Sequence, residues 1–246
     1  MSDHRSNADA VSGGSVRRAL VLAGAGGVLA AGLIGPGAAS AQAQSCPDVE
    51  VVFARGTAEP AGIGRVGDAF VDALRHDLAG RTVDVYAVSY PASYDFLQST
   101  PVGADDASAH IQATAASCPA TSIVLGGYSQ GAAAVDLITA DPNATFGFGR
   151  PMPPAVADHV AAVAVFGNPS TKIGRPLTSI SPLYGGKTID LCNGADPVCS
   201  DGDDRPAHSQ YVQTGLAQQA ADFVAAKLGG HNRSDVLVNA SGSAVS

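Results

Sequence analysis

The stretch Gly127-Tyr128-Ser129-Gln130-Gly131 follows a short apolar run, Ile123 to Leu125, and leads straight into Ala132, Ala133, Ala134 and Val135. A buried strand that ends on a glycine-flanked serine and turns at once into a helix is compatible with few folds. The turn must be sharp, and strand and helix lie so close that side chains at Gly127 and Gly131 would collide. Such a chain needs a sheet with helices packed on it, and it presents the serine hydroxyl at the carboxyl edge of that sheet. The helix begins at Gln130, so its unbonded N–H groups and positive end face whatever Ser129 attacks. In that setting Ser129 reads as a nucleophile; the alternative is a serine in a tight turn that helps cap a helix.

The rest of the chain supplies such a sheet. Residues 49–54 are almost continuously apolar and stop at Arg55-Gly56, the pattern of a strand buried on both faces. Residues 83–88, 122–127, 160–166 and 187–191 read as further strands. Between them, 66–78 places Val66, Ala69, Phe70, Ala73, Leu74 and Leu78 on one helical stripe. Residues 104–116, 130–139 and 209–228 are the other expected helices. The Gly- and Pro-rich segment 145–154 reads as an exposed crossing loop, with a substrate wall as the alternative, and a long irregular connection runs to Gly186. Asp136, on the helix after the elbow, is expected at the surface. Five strands separated by helices predict a single α/β domain with a mostly parallel five-stranded sheet, and functional residues in loops beyond the strands' carboxyl ends.

Arg17 and Arg18 precede the apolar stretch 19–34, and Ala39-Ser40-Ala41 and Ala41-Gln42-Ala43 follow. This is the order of a secretory signal, so 1–43 is expected to be a signal peptide, cleaved after Ala41 or Ala43, and 44–229 the folded domain. A retained membrane anchor is the alternative, and the run is short for a span. Residues 230–246, rich in Gly, Ser and Asn, read as a disordered tail. The product would be secreted, extracellular or associated with the cell wall, without stable membrane insertion, and a monomer. A net charge of -8 argues against a nucleic-acid partner. Four cysteines, Cys46, Cys118, Cys192 and Cys199, allow three disulfide connectivities. Cys192 and Cys199 are close enough to staple one loop, leaving Cys46 to tie the start of the domain to Cys118. A zinc site is a poor alternative, since no CxxC pair or histidine stands at ligand spacing.

A serine hydroxyl needs a base, and the base needs an orienting carboxylate. Asp196 follows the last strand, between Cys192 and Cys199, where the competing reading is a turn-forming Asp-Pro pair. His208 precedes the closing helix. His76 and His110 fall on helices and His159 abuts a strand, while His231 lies in the tail. The order Ser129, Asp196, His208 is nucleophile, acid, base. Thr57, beyond the first strand, is placed to pair its N–H with that of Gln130 as an oxyanion hole. Arg55 is expected to pair with an acid and hold this loop.

Taken together, Ala54-Arg55-Gly56-Thr57-Ala58-Glu59-Pro60, Tyr90-Pro91-Ala92, Gly126 to Gly131, Gly167-Asn168-Pro169 and the Cys192 to Cys199 loop followed by His208 resemble the cutinase family, in particular its secreted actinobacterial, mycobacterial-type branch. The resemblance covers roughly 46–228. It implies a cutinase-like α/β-hydrolase, a three-layer sandwich without the large lid of many lipases, with Ser129, His208 and Asp196 as triad. It implies Thr57 and Gln130 as oxyanion hole, disulfides Cys46–Cys118 and Cys192–Cys199, and no metal or organic cofactor. Family substrates are cutin-like polyesters, short and medium acyl esters, triglycerides and, in some members, phospholipids, so the implied partner is a small-molecule or lipid ester. The polar run 200–205 before His208 departs from the apolar rim of lipid-engaging members and favours a small soluble ester. The competing functions are a lipase or phospholipase, an acyltransferase, and a noncatalytic envelope-binding protein in which the Ser129 hydroxyl is blocked or distant from His208.

Overall fold

The alternation of side chains along each strand explains why the apolar runs are continuous. In a computed structural model that describes residues 45–145 and 147–229, β1 (Val49–Ala54) sends Val49, Val51 and Phe53 into one core and Val52 and Ala54 into a second. β3 (Ser122–Tyr128) splits Val124 from Ile123 and Leu125 in the same way, and β4 (Val160–Phe166) splits Ala162, Ala164 and Phe166 from Val163 and Val165. A strand covered on both faces has no position that favours a polar residue. With β2 (Val83–Ala87) and β5 (Thr188–Leu191) these form one sheet in the order β2-β1-β3-β4-β5, parallel throughout.

Helices α1 (Gly64–Asp77) and α6 (Leu216–Lys227) contribute to one core, and α2 (Phe96–Ser117) and α3 (Gln130–Thr139) to the other. Two short helices, α4 (Pro169–Lys172) and α5 (Leu177–Ile180), occupy the long connection to β5. The result is a three-layer sandwich. The chain leaves β1 for β2 on one side and returns to β3 on the other, so the ends of β1 and β3 flank the point where strand order reverses. Loops diverge there and leave a crevice. Cys46–Cys118 ties the segment before β1 to the end of α2, and Cys192–Cys199 closes the loop after β5.

Two boundaries differ from expectation by more than two residues. α2 begins at Phe96 rather than at 104 and carries Pro101 inside it. Proline removes one helical hydrogen bond, yet its fixed φ is a helical value, and the buried Ser99, Thr100, Gly103 and Ala104 hold the first turns in place. The closing helix begins at Leu216 rather than 209, because 205–209 form a separate 3₁₀ turn that carries His208. The signal-peptide and tail expectations, 1–43 and 230–246, lie outside the described residues. Among the described residues no helix is long and apolar enough to cross a membrane.

The elbow depends on close backbone contact. A Cβ at Gly131 would stand 1.9 Å from the Ala54 carbonyl oxygen, and one at Gly127 2.4 Å from that of Gly131. Gly131→Ala therefore forces α3 away from β1. The expected loss is about 3 kcal/mol or more, as overpacking against immovable backbone, and urea unfolding measures it. An unchanged midpoint would show that the contact is not needed.

Candidate active site

Ser129 sits between β3 and α3 with φ 55° and ψ −114°, a left-handed conformation that a serine adopts only under constraint. Its N–H donates to the Phe166 carbonyl at 2.8 Å, and its own carbonyl accepts from Ala133 at 3.1 Å. Both bonds pin the turn, so the hydroxyl stands clear of strand and helix. His208 Nε2 lies 2.9 Å from Ser129 Oγ, and His208 Nδ1 lies 2.8 Å from Asp196 Oδ2. The three side chains converge from the ends of β3 and β5 and from the 3₁₀ turn.

Each partner is held independently. Asp196 is fully buried, and its Oδ1 accepts from the Val198 N–H at 2.9 Å. The loop that carries it is closed by Cys192–Cys199. The imidazole stacks on the Tyr128 ring at 5.1 Å between centroids, and the Tyr128 hydroxyl donates to the His208 carbonyl. Gly167, at φ +59°, comes within contact of the other edge; a Cβ there would lie 3.1 Å from His208 Cε1. The polar run 200–205 has a structural use. Ser200 Oγ donates to the Asp196 carbonyl, and the Asp204 carboxylate caps the 3₁₀ turn by accepting from the Ala207 N–H. Its polarity orients the triad loops.

Tyr211 was not singled out by sequence. It is fully buried, and its hydroxyl donates to Asp196 Oδ2 at 2.6 Å, the oxygen that faces His208, while accepting from the Asn193 N–H at 3.2 Å. Burial, with Asp196 beside it, pushes the phenol well above its ordinary range, so it stays a donor. Only its position just after the histidine turn offered a sequence signal. Tyr211→Phe leaves Asp196 with more charge for the imidazole and less to hold it. The expected result is a fall of about tenfold in kcat with KM unchanged, and an acid limb of kcat/KM moved to higher pH. A purely structural tyrosine would leave that limb in place.

The oxyanion candidates also meet. Thr57 Oγ1 donates to Gln130 Oε1 at 3.3 Å, and the Gln130 amide donates to the Ser93 carbonyl and to Thr100 Oγ1. The Gln130 N–H is the first of α3 and has no acceptor within the helix. Among the described residues Arg55 pairs with no acid. It donates to the carbonyls of Glu59, Val88 and Tyr90 and lies over the Tyr90 ring, because the loop end presents carbonyls and the Glu59 carboxylate is taken by the N–H groups of Gly56 and Arg65.

Between the start of α2, α3 and residues Ala144, Thr145, Phe148, Pro169, Ser170 and Ile173 lies a cavity of about 730 Å³, whose lining reaches Ala133, four residues after Ser129. Ala133, Leu137, Phe96, Leu97, Phe148 and Ile173 give it apolar walls. Thr145 and Phe148 of the crossing segment line it, while most of the segment's described residues are exposed, as expected of a surface loop. Asp136 is a second correction. Only 6% exposed, it lines the cavity and accepts from Asn168 Nδ2, since a helix packed on a sheet has one inward stripe and the loop after β4 covers this part of it. Burial pushes its carboxyl up to about 7.

The cutinase family model matches residues 45–228. The chain belongs to the cutinase family. It is 50% identical over 215 residues to a phospholipase, Culp4, of Mycobacterium tuberculosis, covering 87% of this chain and 94% of that protein. It is 53% identical over 198 residues to the carboxylesterase Culp1 of the same organism, covering 78% and 87%. Among solved structures it is similar to a Trichoderma reesei cutinase in complex with a phosphonate inhibitor, with TM-score 0.61, 34% identity and coverage of 74% of this chain and 77% of that one. An acetylxylan esterase aligns with TM-score 0.65 at 26% identity, covering 75% and 100%. The fold of this cutinase-family chain is the α/β-hydrolase sandwich, and its activity that of a carboxylic ester hydrolase.

Proposed function

We propose that this ester hydrolase works by two acyl transfers with Ser129 as nucleophile, on carboxylic esters of medium-length apolar acids. The observation that carries the reading is the continuous relay from Ser129 Oγ through both nitrogens of His208 to Asp196. His208 takes the serine proton as Ser129 Oγ attacks the ester carbonyl, and the N–H groups of Thr57 and Gln130 receive the oxyanion. The alcohol leaves with the proton from His208. Water, deprotonated by the same imidazole, then releases the acid. The short Ser129–His208 distance opposes a noncatalytic binding scaffold.

The cavity supports the acyl preference. Its volume is in the range of sites for small organic ligands. Phe96, Leu97, Phe148 and Ile173 are each more than half exposed at its rim, which favours a lipid-like ester over the small soluble one that the polar run 200–205 had suggested. The same rim, with half of all aligned residues identical to the phospholipase Culp4, favours phospholipid as a second substrate. The two disulfides fit an oxidising compartment and so support export.

An acyl-length series decides the preference. We expect kcat/KM to rise severalfold for each pair of methylenes from acetyl to about octanoyl, as the chain fills apolar space. A maximum at acetyl with a steady fall thereafter would favour the small-ester reading, and release of fatty acid from phosphatidylcholine vesicles would establish the second substrate.

A further inference from the structure

Tyr128 stands directly before the nucleophile, and the two acyl transfers do not call on it. As the last residue of β3 it turns its side chain away from α3, into the core shared by α1 and α6. His208 meets it on that face, because the histidine turn runs on toward α6. The ring centroids are 5.1 Å apart and the planes 29° from parallel, so the imidazole lies on the face of the phenol ring. Three further contacts fix that ring. Its hydroxyl donates to the His208 carbonyl, Tyr211 meets it edge-on at 5.7 Å, and a Cβ at Gly56 would stand 2.6 Å from its Cδ1. Burial first, then the carboxylates of Glu59 and Asp196, push the phenol above its ordinary range, so the ring is neutral from acid to mildly alkaline pH.

A neutral aromatic face carries negative potential and attracts a cation. His208 is uncharged before attack and an imidazolium once it holds the Ser129 proton, so this attraction grows on the way to the tetrahedral intermediate. An interaction of that kind raises the rate and leaves ground-state binding alone. Asp196 meets the new charge at the ring edge, through Nδ1, and Tyr128 meets it from the ring face. Tyr211 stands edge-on to the imidazole at 6.4 Å. Of the charged groups around the histidine, Asp204 and Arg205 lie at its own turn, Arg65 at the start of α1 bonds the Ser209 carbonyl, and Glu59 bonds the Gly56 N–H beside the Tyr128 ring. A change of ring at position 128 leaves all of them in place.

We propose that Tyr128 is a positioning residue of the hydrolytic reaction, whose ring face stabilises the imidazolium that His208 becomes and so makes the histidine a stronger base. The proposal rests on the acyl-enzyme reading above and deepens it. A face that favours imidazolium keeps the proton on His208 to higher pH. Weakening the face therefore moves the acid limb of kcat/KM to lower pH. That direction is opposite to the one expected of Tyr211→Phe, so a loosening of the histidine common to both variants cannot produce the pair of shifts.

The test uses the full chain and one soluble butanoate ester. Tyr128→Phe keeps the face and loses the hydroxyl. The same position is then filled by phenylalanines with one, two and three ring fluorines, which drain the face and nearly keep its shape. From Tyr128→Phe onward the acid limb is expected to move steadily to lower pH, by about half a unit at three fluorines, while kcat falls by up to about threefold and KM holds. Nuclear magnetic resonance of the His208 ring in Ser129→Ala, titrated with the same substitutions, reads the same shift without turnover. A limb and a ring titration that stay fixed across the fluorine series overturn the proposal, and so does a shift to higher pH. An acid limb that persists in His208→Ala would instead remove the histidine from the reaction and overturn the acyl-enzyme reading, which keeps the two failures apart.

Discussion

Ser129→Ala is expected to lower kcat by about 10⁶-fold with KM little changed. The cavity proposed to take the acyl group is lined by other residues, so ground-state binding should survive the substitution. What disappears is the atom that attacks, together with the acyl-enzyme that divides one difficult hydrolysis into two easier steps. A residual acceleration of about 10³-fold over water should remain, because the Thr57 and Gln130 N–H groups and the bound geometry are untouched. Folding should also survive. The φ of 55° is imposed by the bonds of the Ser129 backbone to Phe166 and Ala133 and by the glycines around it, and alanine keeps that backbone. Steady-state kinetics on one ester, with thermal unfolding of the same preparation, make the measurement. Equal activity in the two proteins would remove Ser129 from the mechanism.

Why this residue could be read from sequence, and Tyr211 or Asp136 could not, follows from what each depends on. The elbow is local. Its glycines are demanded by contacts within a few residues, Gly127 against Gly131, and by the neighbouring strand end at Ala54, so the demand is written in adjacent letters. The strands were legible for a similar reason: a strand covered on both faces reads as an unbroken apolar run. Asp196 and His208 could be ordered because each follows a strand or precedes a helix. Tyr211 and Asp136 depend on contacts between distant segments. A tyrosine in a closing helix or turn is ordinarily core, and only the fold of 193–211 brings its hydroxyl to Asp196. An aspartate in a helix is ordinarily solvated. It is buried here because the loop after β4 folds over α3 and places Asn168 against it. The start of α2 was hidden by a local signal that points the other way, since Pro101 reads as a helix break although the packed helix continues through it. The polar run 200–205 looks, in sequence, like a hydrophilic rim, whereas its hydroxyls and carboxylates bond their own loop, which only the fold reveals.

Asp196→Asn is expected to lower kcat by about 10⁴-fold, a larger loss than its near-identical shape suggests. Both carboxylate oxygens of Asp196 act only as acceptors: Oδ2 meets His208 Nδ1 and the Tyr211 hydroxyl, and Oδ1 meets the Val198 N–H. An amide offers one acceptor and one donor, so neither orientation satisfies the site. With its nitrogen toward Val198, two N–H groups face one another in a fully buried pocket. With its nitrogen toward His208, the imidazole must present a bare Nδ1 and carry its proton on Nε2, where it can no longer accept the serine proton at 2.9 Å. Tyr211 cannot readily relieve the conflict by turning its hydroxyl into an acceptor, because the Asn193 N–H already donates to it. The second orientation avoids the backbone clash and leaves the wrong tautomer, so the protein should fold, bind ester with a similar KM and turn over slowly. Tyr211→Phe removes one donor and keeps the carboxylate, which is why its expected loss is only about tenfold. Measured side by side, the two variants separate the charge on Asp196 from its orientation. If Asp196→Asn retained more activity than Tyr211→Phe, the histidine would be positioned by something other than this carboxylate.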